Sequence, residues 1–331
     1  MASEVPLNSR LLFFKRIYVI FLQVYLCVLG LSLAGPIKKE FFMWKLLTDS
    51  SCDLPESFYE ENEIGVINLT CFIDGEVVWG KDKKIAASDF YARMRNGAKP
   101  TTSQVNPQEA KAFFEEYIGE YKEILYVGFS SGLSGTVNSA RIAAEEIMDE
   151  HPEVKIIVVD TLSAAMGQGL LLYYCNKMWK EGKSLREVAD WIESNKMNMV
   201  HLFTVDNLFD LWRGGRVSKT SAFLGTLASI KPLLHVNYEG KLVSVDKVRG
   251  RKKALAGLLE LMDEKMGSHK DLNKEMIMIN HGDCLEDAEL LRDMIKERFG
   301  FENFMINNLS PVIGGHTGPS LIALFFMGDI R

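Results

Sequence analysis

Hydroxyl side chains and glycines are concentrated at residues 128–136, whose sequence is GFSSGLSGT. The apolar run 124–127 directly before this stretch predicts a buried strand, and a helical pattern begins at about Val137. In an open α/β sheet, ligands bind beyond the carboxyl ends of the strands, where glycines let the backbone approach and helix N-termini present N–H groups. The stretch therefore predicts a binding loop, and it favours an anion as the ligand.

Two further segments contain residues that suit the same ligand. Thr102 and Ser103 lie in a hydroxyl-rich loop, and His316 stands in the sequence GGHTGPS just before an apolar run. Hydroxyl groups donate hydrogen bonds, and a histidine supplies another donor or a positive charge, so the set suits a carboxylate or a phosphate. Taken alone, His316 is more often a hydrogen-bonded histidine near a turn than a ligand-binding residue.

The binding loop also begins with G-x-S-x-G, the motif that carries the nucleophile of α/β-hydrolases. Ser130 would be the nucleophile, and Asp283 and His316 follow in the chain order of such a triad. The predicted helix does not begin directly after Ser130, and no HGGG-type oxyanion segment is present. A serine hydrolase that uses Ser130 is therefore the weaker alternative.

The composition of the 331 residues argues against several other kinds of protein. A net charge of -6 and a pI near 5.7 leave no broad basic field, so nucleic acid is not an expected partner. The five cysteines have no C-x-x-C spacing and predict neither a disulfide framework nor a zinc site. The loops lack the P-loop and G-x-G-x-x-G patterns, and we expect no metal and no cofactor.

Residues 17–34 form an uncharged hydrophobic segment with basic residues on both sides. A segment of this length resembles a secretory signal or a short membrane anchor. The flanking charges do not decide its orientation, because they are nearly symmetrical. A third interpretation, which we prefer, is that the protein begins at Met43 and that residues 1–42 are an upstream extension. The cytoplasm is then the expected location, with a membrane-anchored protein as the alternative.

Strands and helices alternate from residue 43 onward, which predicts an α/β fold. The largely β-branched run 154–159 is typical of a strand that is buried on both faces of a parallel sheet. A β-hairpin is predicted between the runs 64–73 and 76–79, because Asp-Gly between β-rich runs is a strong turn signal. Helix starts with a capping box are predicted at Asn106 and Ser184.

The pattern changes character near Met199, and this change predicts two domains. The first, residues 43–198, would be an α/β domain with a mostly parallel sheet flanked by helices and the hairpin as an insertion. The second, residues 199–331, would be a C-terminal α/β domain. Residues 1–42 would precede both.

Eight short motifs resemble, in order, those of the DegV family. They are TDS at 48–50, TSQ at 102–104, GLSGT at 132–136, MGQG at 166–169, GGR at 214–216, KP at 231–232, RGRKKA at 249–254 and HTGP at 316–319. The resemblance covers residues 43 to about 328 and leaves the first 42 residues without a counterpart. Ser320 stands where the family usually has glycine, and we expect this departure to alter only the geometry of the loop.

Membership of this family implies a two-domain protein that binds a long-chain fatty acid and buries the acyl chain within the fold. In the best understood branch, the protein presents the acid to a separate bacterial fatty acid kinase. That kinase phosphorylates the carboxylate to an acyl phosphate destined for phospholipid synthesis. The resemblance further implies that Thr102, Ser134 and His316 hold the carboxylate, that Ser103 lies beside it, and that the chain itself is not an enzyme.

The basic segment around Arg249 and Arg251 has an implied role as well. By the same resemblance, these two residues would face the kinase or the phosphorylated product. A solvated basic rim is an equally good interpretation of such a charge run. Unless residues 17–34 are a real anchor, contact with a membrane would be only transient.

Overall fold

Among the described residues, short apolar runs form most of the strands, and amphipathic segments form most of the helices. The computed structural model describes residues 44–206, 208–218, 229–271, 275–329 and 331. The predicted extension 1–42, with its hydrophobic segment 17–34, lies outside the described residues.

The strands of the described residues are β1 (Trp44–Asp49), β2 (Gly65–Ile67), β3 (Thr70–Ile73), β4 (Glu76–Trp79), β5 (Thr101–Ser103), β6 (Glu123–Gly128), β7 (Lys155–Asp160), β8 (Met199–Thr204), β9 (Ile230–Val236), β10 (Leu242–Arg249), β11 (Met276–His281), β12 (Asn303–Asn308) and β13 (Ile322–Met327). The α-helices of the same residues are α1 (Glu56–Glu61), α2 (Ala87–Arg95), α3 (Pro107–Ile118), α4 (Thr136–Glu150), α5 (Met166–Lys180), α6 (Leu185–Asn195), α7 (Phe209–Arg213), α8 (Arg251–Met266), α9 (Leu285–Phe299) and α10 (Pro311–Thr317).

A four-stranded parallel sheet in the order β2-β1-β6-β7 has helices on both faces. Successive side chains of a strand point to opposite faces. Accordingly, Ile124 and Tyr126 of β6 pack with α3 and α4, whereas Leu125 and Val127 pack with α5 and α6. The predicted fold class, α/β with a parallel sheet flanked by helices, is confirmed.

A small antiparallel sheet in the order β4-β3-β5 contains the predicted hairpin. Asp74 and Gly75 at its turn have φ angles of 52° and 82°, and a tight hairpin turn of this kind requires positive φ at both positions. The single strand predicted over 64–73 is wrong, because it divides into β2 of the parallel sheet and β3 of the small sheet.

The second large sheet is mixed, with the order β10-β9-β8-β13-β11-β12. β11 and β12 are parallel, and the other neighbouring strands are antiparallel. One face packs against α8 and α9, and the other face turns toward α5 and the parallel sheet. Residues 166–172 of α5 are all buried, because this helix contacts strands of both large sheets.

The predicted capping boxes are confirmed. The side chain of Asn106 accepts from the backbone of Glu109, which reaches back to the backbone of Asn106, and Pro107 takes the first helical position. Ser184 and Glu187 make the same reciprocal pair at the start of α6. The local sequence therefore sets where these two helices begin.

The two large sheets draw their strands from opposite sides of residue 199. The described residues nevertheless group as one compact unit, so the boundary between residues 198 and 199 stays a prediction. Among the described residues, no helix combines the length and the apolar character that crossing a bilayer requires.

Candidate functional site

A cavity of ≈ 330 Å³ lies between the loops at the carboxyl ends of the parallel sheet and the inner face of the six-stranded sheet. Phe203 of β8, Val236 of β9, and Ala323 and Phe325 of β13 form the wall on the side of the six-stranded sheet. Cavities that bind small molecules measure about 300–1,000 Å³ and are lined mainly by apolar side chains. This cavity has the size and the lining of a site for an apolar ligand.

Thr102 and His316 form a polar contact in the lining of the cavity. Thr102 Oγ1 and His316 Nε2 are 2.7 Å apart. Thr102 was predicted in a loop, but it lies in β5, where its backbone pairs with Cys71 of β3. His316 lies in the short helix α10, which the glycine-rich sequence did not predict. Gly314 and Gly315 allow this helix to pack closely, since added Cβ atoms would lie 2.3 Å from Tyr91 Oη and 3.1 Å from Pro100 Cβ.

Ser134 lies in the turn between β6 and α4 and also lines the cavity. Its hydroxyl is 3.0 Å from Thr136 Oγ1 and accepts a hydrogen bond from the backbone N–H of Thr136 at 3.3 Å. The side chain of Gln104 accepts from Gly135 N at 2.9 Å and so joins this turn to the segment after β5. The hydroxyl loops that are separate in the sequence therefore meet at one place.

Ser103 lines the same cavity but is more exposed than its neighbour Thr102. Its hydroxyl donates to the carbonyl of Gln104 at 3.2 Å. All four residues predicted to surround the carboxylate, Thr102, Ser103, Ser134 and His316, thus lie in the wall of one cavity. Their role in binding stays a prediction.

Arg216 adds a positive charge that the sequence reasoning missed. It lines the cavity and donates to the carbonyl of Leu133 through Nε at 3.2 Å and Nη2 at 3.0 Å. No carboxylate of the described residues lies within ion-pair distance of Arg216, whereas Arg213 pairs with Asp210 at 3.1 Å. The GGR motif at residues 214–216 was the signal, but the residue types alone did not assign it to the anion site.

Burial, together with the nearby Arg216 and Arg213, lowers the pKa of His316 to about 4. The imidazole is therefore neutral at pH 7, and it can take part in a hydrogen bond with an anion without supplying charge. Of the two options that the sequence leaves open for this histidine, the structure favours the neutral one. Arg216 is then the source of positive charge next to the hydroxyl groups.

Gly214 allows the backbone after α7 to lie directly against the ring of His316. A Cβ atom at this position would be 2.1 Å from His316 Nδ1, far inside van der Waals contact. The glycine therefore fixes how closely α7 and α10 can approach, and with them the position of the imidazole.

Ala164 and Ala165 form another part of the wall, where the backbone is strained. Ala165 has φ 52° and ψ -141°, a conformation that residues with a Cβ rarely adopt. Side chains of the six-stranded sheet hold this segment: His201 Nε2 accepts from Ala164 N at 3.3 Å, and Asn280 Oδ1 accepts from Met166 N at 3.0 Å. Two small side chains are thereby placed where larger ones would fill the cavity.

The structure does not assemble the serine hydrolase triad. Ser130 is fully buried and donates to the carbonyl of Gly240 at 2.8 Å. Asp283 is paired with Arg95, and His316 with Thr102. Among the described residues no hydrogen bond joins Ser130, Asp283 and His316, and Ser130 is outside the lining of the cavity. The hydrolase alternative is therefore not supported.

Arg249 and Arg251 lie away from the residues that line the cavity. Arg249 is exposed at the end of β10 and donates to Ser229 Oγ at 3.3 Å. Arg251, at the start of α8, forms an ion pair with Asp287 at 2.9 Å and is half-buried. Of the two residues, only Arg249 presents its side chain openly to a partner. In the part of the chain that is described, no three His, Cys, Asp or Glu side chains are grouped as a metal site would require.

Comparison with known proteins identifies relatives of this chain. A DegV domain-containing protein of Clostridium perfringens is 44% identical over 287 residues, which cover 86% of this chain and 98% of the relative. The solved structure of a DegV family protein from Thermus thermophilus, described as binding fatty acid, matches with a TM-score of 0.75 at 29% identity and covers 86% of this chain and 99% of its own.

DegV of Bacillus subtilis, described as a fatty acid binding protein, also matches with a TM-score of 0.75, at 26% identity over 87% of this chain and all of its own. Residues 43–329 match the family model described as "Uncharacterised protein, DegV family". A match of this length, with a relative this similar, means that the chain belongs to the DegV family.

Proposed function

We propose that this protein binds a long-chain fatty acid, with the carboxylate at Thr102, Ser134 and His316 and the acyl chain in the apolar cavity. The observation that carries the proposal is a single cavity that combines apolar walls with a group of hydroxyls, a neutral imidazole and a guanidinium that forms no ion pair with the described residues. An amphipathic anion is the ligand class that needs both kinds of surface.

The expected energetics assign separate roles to the two parts of the ligand. Burying about fourteen methylenes at about 0.8 kcal/mol each contributes roughly 11 kcal/mol before the costs of association. Each hydrogen bond to the charged carboxylate contributes about 1.5–3 kcal/mol. The acyl chain therefore supplies most of the affinity, and the polar residues orient the acid.

The relatives support the same ligand. The Thermus thermophilus and Bacillus subtilis proteins, both above 25% identity, are described as fatty acid binding. In this chain Ser130, the serine of the G-x-S-x-G motif, donates to a backbone carbonyl and is hydrogen-bonded to no histidine of the described residues.

We further propose that the bound acid is presented to a separate fatty acid kinase, which forms an acyl phosphate for phospholipid synthesis. The carboxylate would remain the reactive group, held by donors that do not react with it. Since such a kinase uses cytoplasmic ATP, the proposal places this protein in the cytoplasm. Arg249, which is exposed, is the better candidate of the two arginines for contact with the kinase.

Solvent extraction of the purified protein tests the central proposal. Mass spectrometry of the extract should identify a co-purifying long-chain fatty acid in near-stoichiometric amount. A protein that yields no fatty acid, and that also rejects added hexadecanoic acid after delipidation, would contradict it.

The polar residues are tested by Ser134→Ala and His316→Ala. Each variant should bind hexadecanoic acid about tenfold more weakly, because each loses one hydrogen bond to a charged group. Ser131→Ala is the matched control, since Ser131 is exposed in the same loop and outside the lining of the cavity. Equal binding by all three variants would remove Ser134 and His316 from the site.

The partnership is tested with a purified bacterial fatty acid kinase and ATP, by trapping acyl phosphate with hydroxylamine. The loaded protein should support product formation, and Arg249→Glu should reduce it without reducing fatty acid content. Product formation from free fatty acid at the same rate without this protein would contradict the presenting role.

A further inference from the structure

The turn at the end of β1, residues 49–53, is buried although most of its side chains are polar. Asp49, Ser50 and Asp53 have exposed fractions of 0%, 8% and 4%. None of the three belongs to the lining of the cavity. This turn contains part of the TDS motif, to which neither the fold nor the proposed carboxylate site assigns a role.

Asp49 holds the loop that carries Ser134. Its Oδ2 atom accepts from the backbone N–H of Phe129 at 3.0 Å, from Tyr126 Oη at 3.0 Å and from Gln168 Nε2 at 3.3 Å. No cation of the described residues is paired with Asp49. A buried carboxylate without a counter-ion is costly unless its hydrogen-bond donors stay in place, and that requirement restricts movement of the loop after β6.

Ser50 contacts the segment that leads into β3, the strand next to Thr102. Its hydroxyl accepts from the backbone N–H of Leu69 at 3.0 Å. The next residue begins β3, and Cys71 of β3 pairs directly with Thr102 of β5. This bond joins the start of the small sheet to the turn after β1.

Asp53 holds the helix that carries His316. Its Oδ1 atom accepts from the backbone N–H of Ser310 at 3.1 Å, and its carbonyl accepts from Asn307 Nδ2 at 3.0 Å. Ser310 directly precedes α10, in which His316 lies. Three side chains of one turn thus each accept a hydrogen bond from the main chain of a different segment. Two of these segments carry Ser134 and His316, and the third leads into β3, which pairs with the strand that carries Thr102.

We propose that the turn 49–53 sets the mutual positions of Thr102, Ser134 and His316, with Asp49, Ser50 and Asp53 as positioning residues. The inference rests on the proposed function, since it explains how three donors from distant parts of the chain are kept in register for one carboxylate. Such donors must hold their geometry to within a fraction of an ångström to act together.

The test distinguishes the contribution of the ligand's head group to binding from that of its tail. Dissociation constants are measured for hexadecanoic acid and for hexadecan-1-ol with the delipidated wild type and with Asp49→Ala, Ser50→Ala and Asp53→Ala, each of which removes the acceptor. The preference for the acid over the alcohol should fall about tenfold in Asp49→Ala and Asp53→Ala and about threefold in Ser50→Ala, with alcohol binding within about twofold of the wild type. A general loss of protein stability would weaken the binding of both ligands to the same extent.

Leu291→Ala is the control for destabilisation, because Leu291 is fully buried in the core on the other face of the six-stranded sheet. It should lower the melting temperature and leave the preference unchanged. Should an aspartate variant fail to fold, Ser50→Ala, which removes one neutral acceptor, still decides the question.

Folded variants that keep the wild-type preference would overturn the positioning role, as would a similar loss of preference in Leu291→Ala. A wild type that binds neither ligand would overturn the proposed function itself. A wild type that prefers the acid, with variants that share this preference, would contradict only the role of the turn.

Discussion

His316 illustrates how the surroundings of one residue select its chemistry. Its ring contacts Thr102 Oγ1, lies against Gly214 and is near two guanidinium groups. The pKa is lowered to about 4, mainly by burial and further by Arg216 and Arg213, so the ring is uncharged at neutral pH. In the proposed complex it takes part in a hydrogen bond, and Arg216 supplies the compensating charge.

The lowered pKa of His316 predicts a dependence of stability on pH. In the unfolded chain, a histidine has a pKa of about 6.5, so between about pH 6.5 and 4 the unfolded state binds a proton that folded His316 does not. The contribution of this residue to the free energy of unfolding is complete above pH 6.5 and is lost as the pH falls toward 4. Urea unfolding of the wild type should therefore be more acid-sensitive in this window than that of His316→Gln. Titration of the His316 ring near pH 6.5 in NMR spectra would contradict this assignment.

Gly214 provides a steric test of the same residue. Gly214→Ala should weaken hexadecanoic acid binding by tenfold or more, since a Cβ atom 2.1 Å from His316 Nδ1 must displace the ring. Gly119→Ala is the control, because a Cβ at Gly119 meets nothing within 4 Å and its φ of -65° suits alanine. Calorimetric titration of both variants decides the matter; equal affinities would show that the ring position is not critical.

At the scale of elements, the turn at residues 237–241, between β9 and β10, rests on the loop that follows β6. Ser130 Oγ donates to the carbonyl of Gly240, and a Cβ at Gly132 would lie 2.6 Å from the carbonyl oxygen of Glu239. The serine that resembles a nucleophile in the sequence thus links a loop of the parallel sheet to a turn of the six-stranded sheet.

Gly240→Ala should therefore destabilise the protein through two effects. Its φ of 72° costs a residue with a Cβ about 1–2 kcal/mol, and the added Cβ would lie 2.1 Å from Ser130 Oγ. Gly75→Ala shares the positive φ, at 82°, but its Cβ meets nothing within 4 Å. The free energy of unfolding in urea should fall clearly more for Gly240→Ala; equal losses would mean that the contact with Ser130 has little weight.

Local sequence predicted the elements whose cause is local. The Asp74-Gly75 hairpin and the capping boxes at Asn106 and Ser184 depend on a few adjacent residues, and all three are present. Helix α10 was missed because its glycines favour a loop in isolation and serve close packing against Tyr91 and Pro100 in the fold. β5 was missed because only its pairing with β3 makes three polar residues a strand.

The candidate site, too, was predicted only in part from the sequence, and the rest depends on packing in the fold. Residue type and the family resemblance predicted the site residues Thr102, Ser134 and His316. The structure places these three residues in the wall of one cavity. Arg216 was not selected, because its relation to the site arises from the packing of the segment after α7 against Leu133. Ser320 has a φ of 66°, which explains why a glycine at this position would suit the loop.

For the whole molecule, the cavity extends from exposed residues such as Ser103 to the buried core. The largest group of buried apolar residues runs from the parallel sheet through α5 to the six-stranded sheet, and the cavity shares Phe203, Ala323 and Phe325 with it. A bound acyl chain would complete this interior, so occupancy and stability should be linked.

Delipidated protein should therefore melt at a lower temperature than the loaded protein, and added hexadecanoic acid should restore the difference. Free ligand at one hundred times the dissociation constant stabilises the folded state by about 2.7 kcal/mol. Differential scanning calorimetry at several ligand concentrations measures the effect, with the methyl ester as the control for tail burial without the charge. A melting temperature that does not change when the acid is added would contradict the link between ligand binding and the stability of the core.

The main-chain nature of the bonds at the turn 49–53 has a consequence for how relatives can diverge. Leu69 and Phe129 line the cavity. The turn binds them through their backbone N–H groups, and these hydrogen bonds do not involve their side chains. Substitutions at these two positions can reshape the space for the acyl chain while the carboxylate ligands stay where they are. Evolution can then change the preferred lipid without rebuilding the recognition of its acid group.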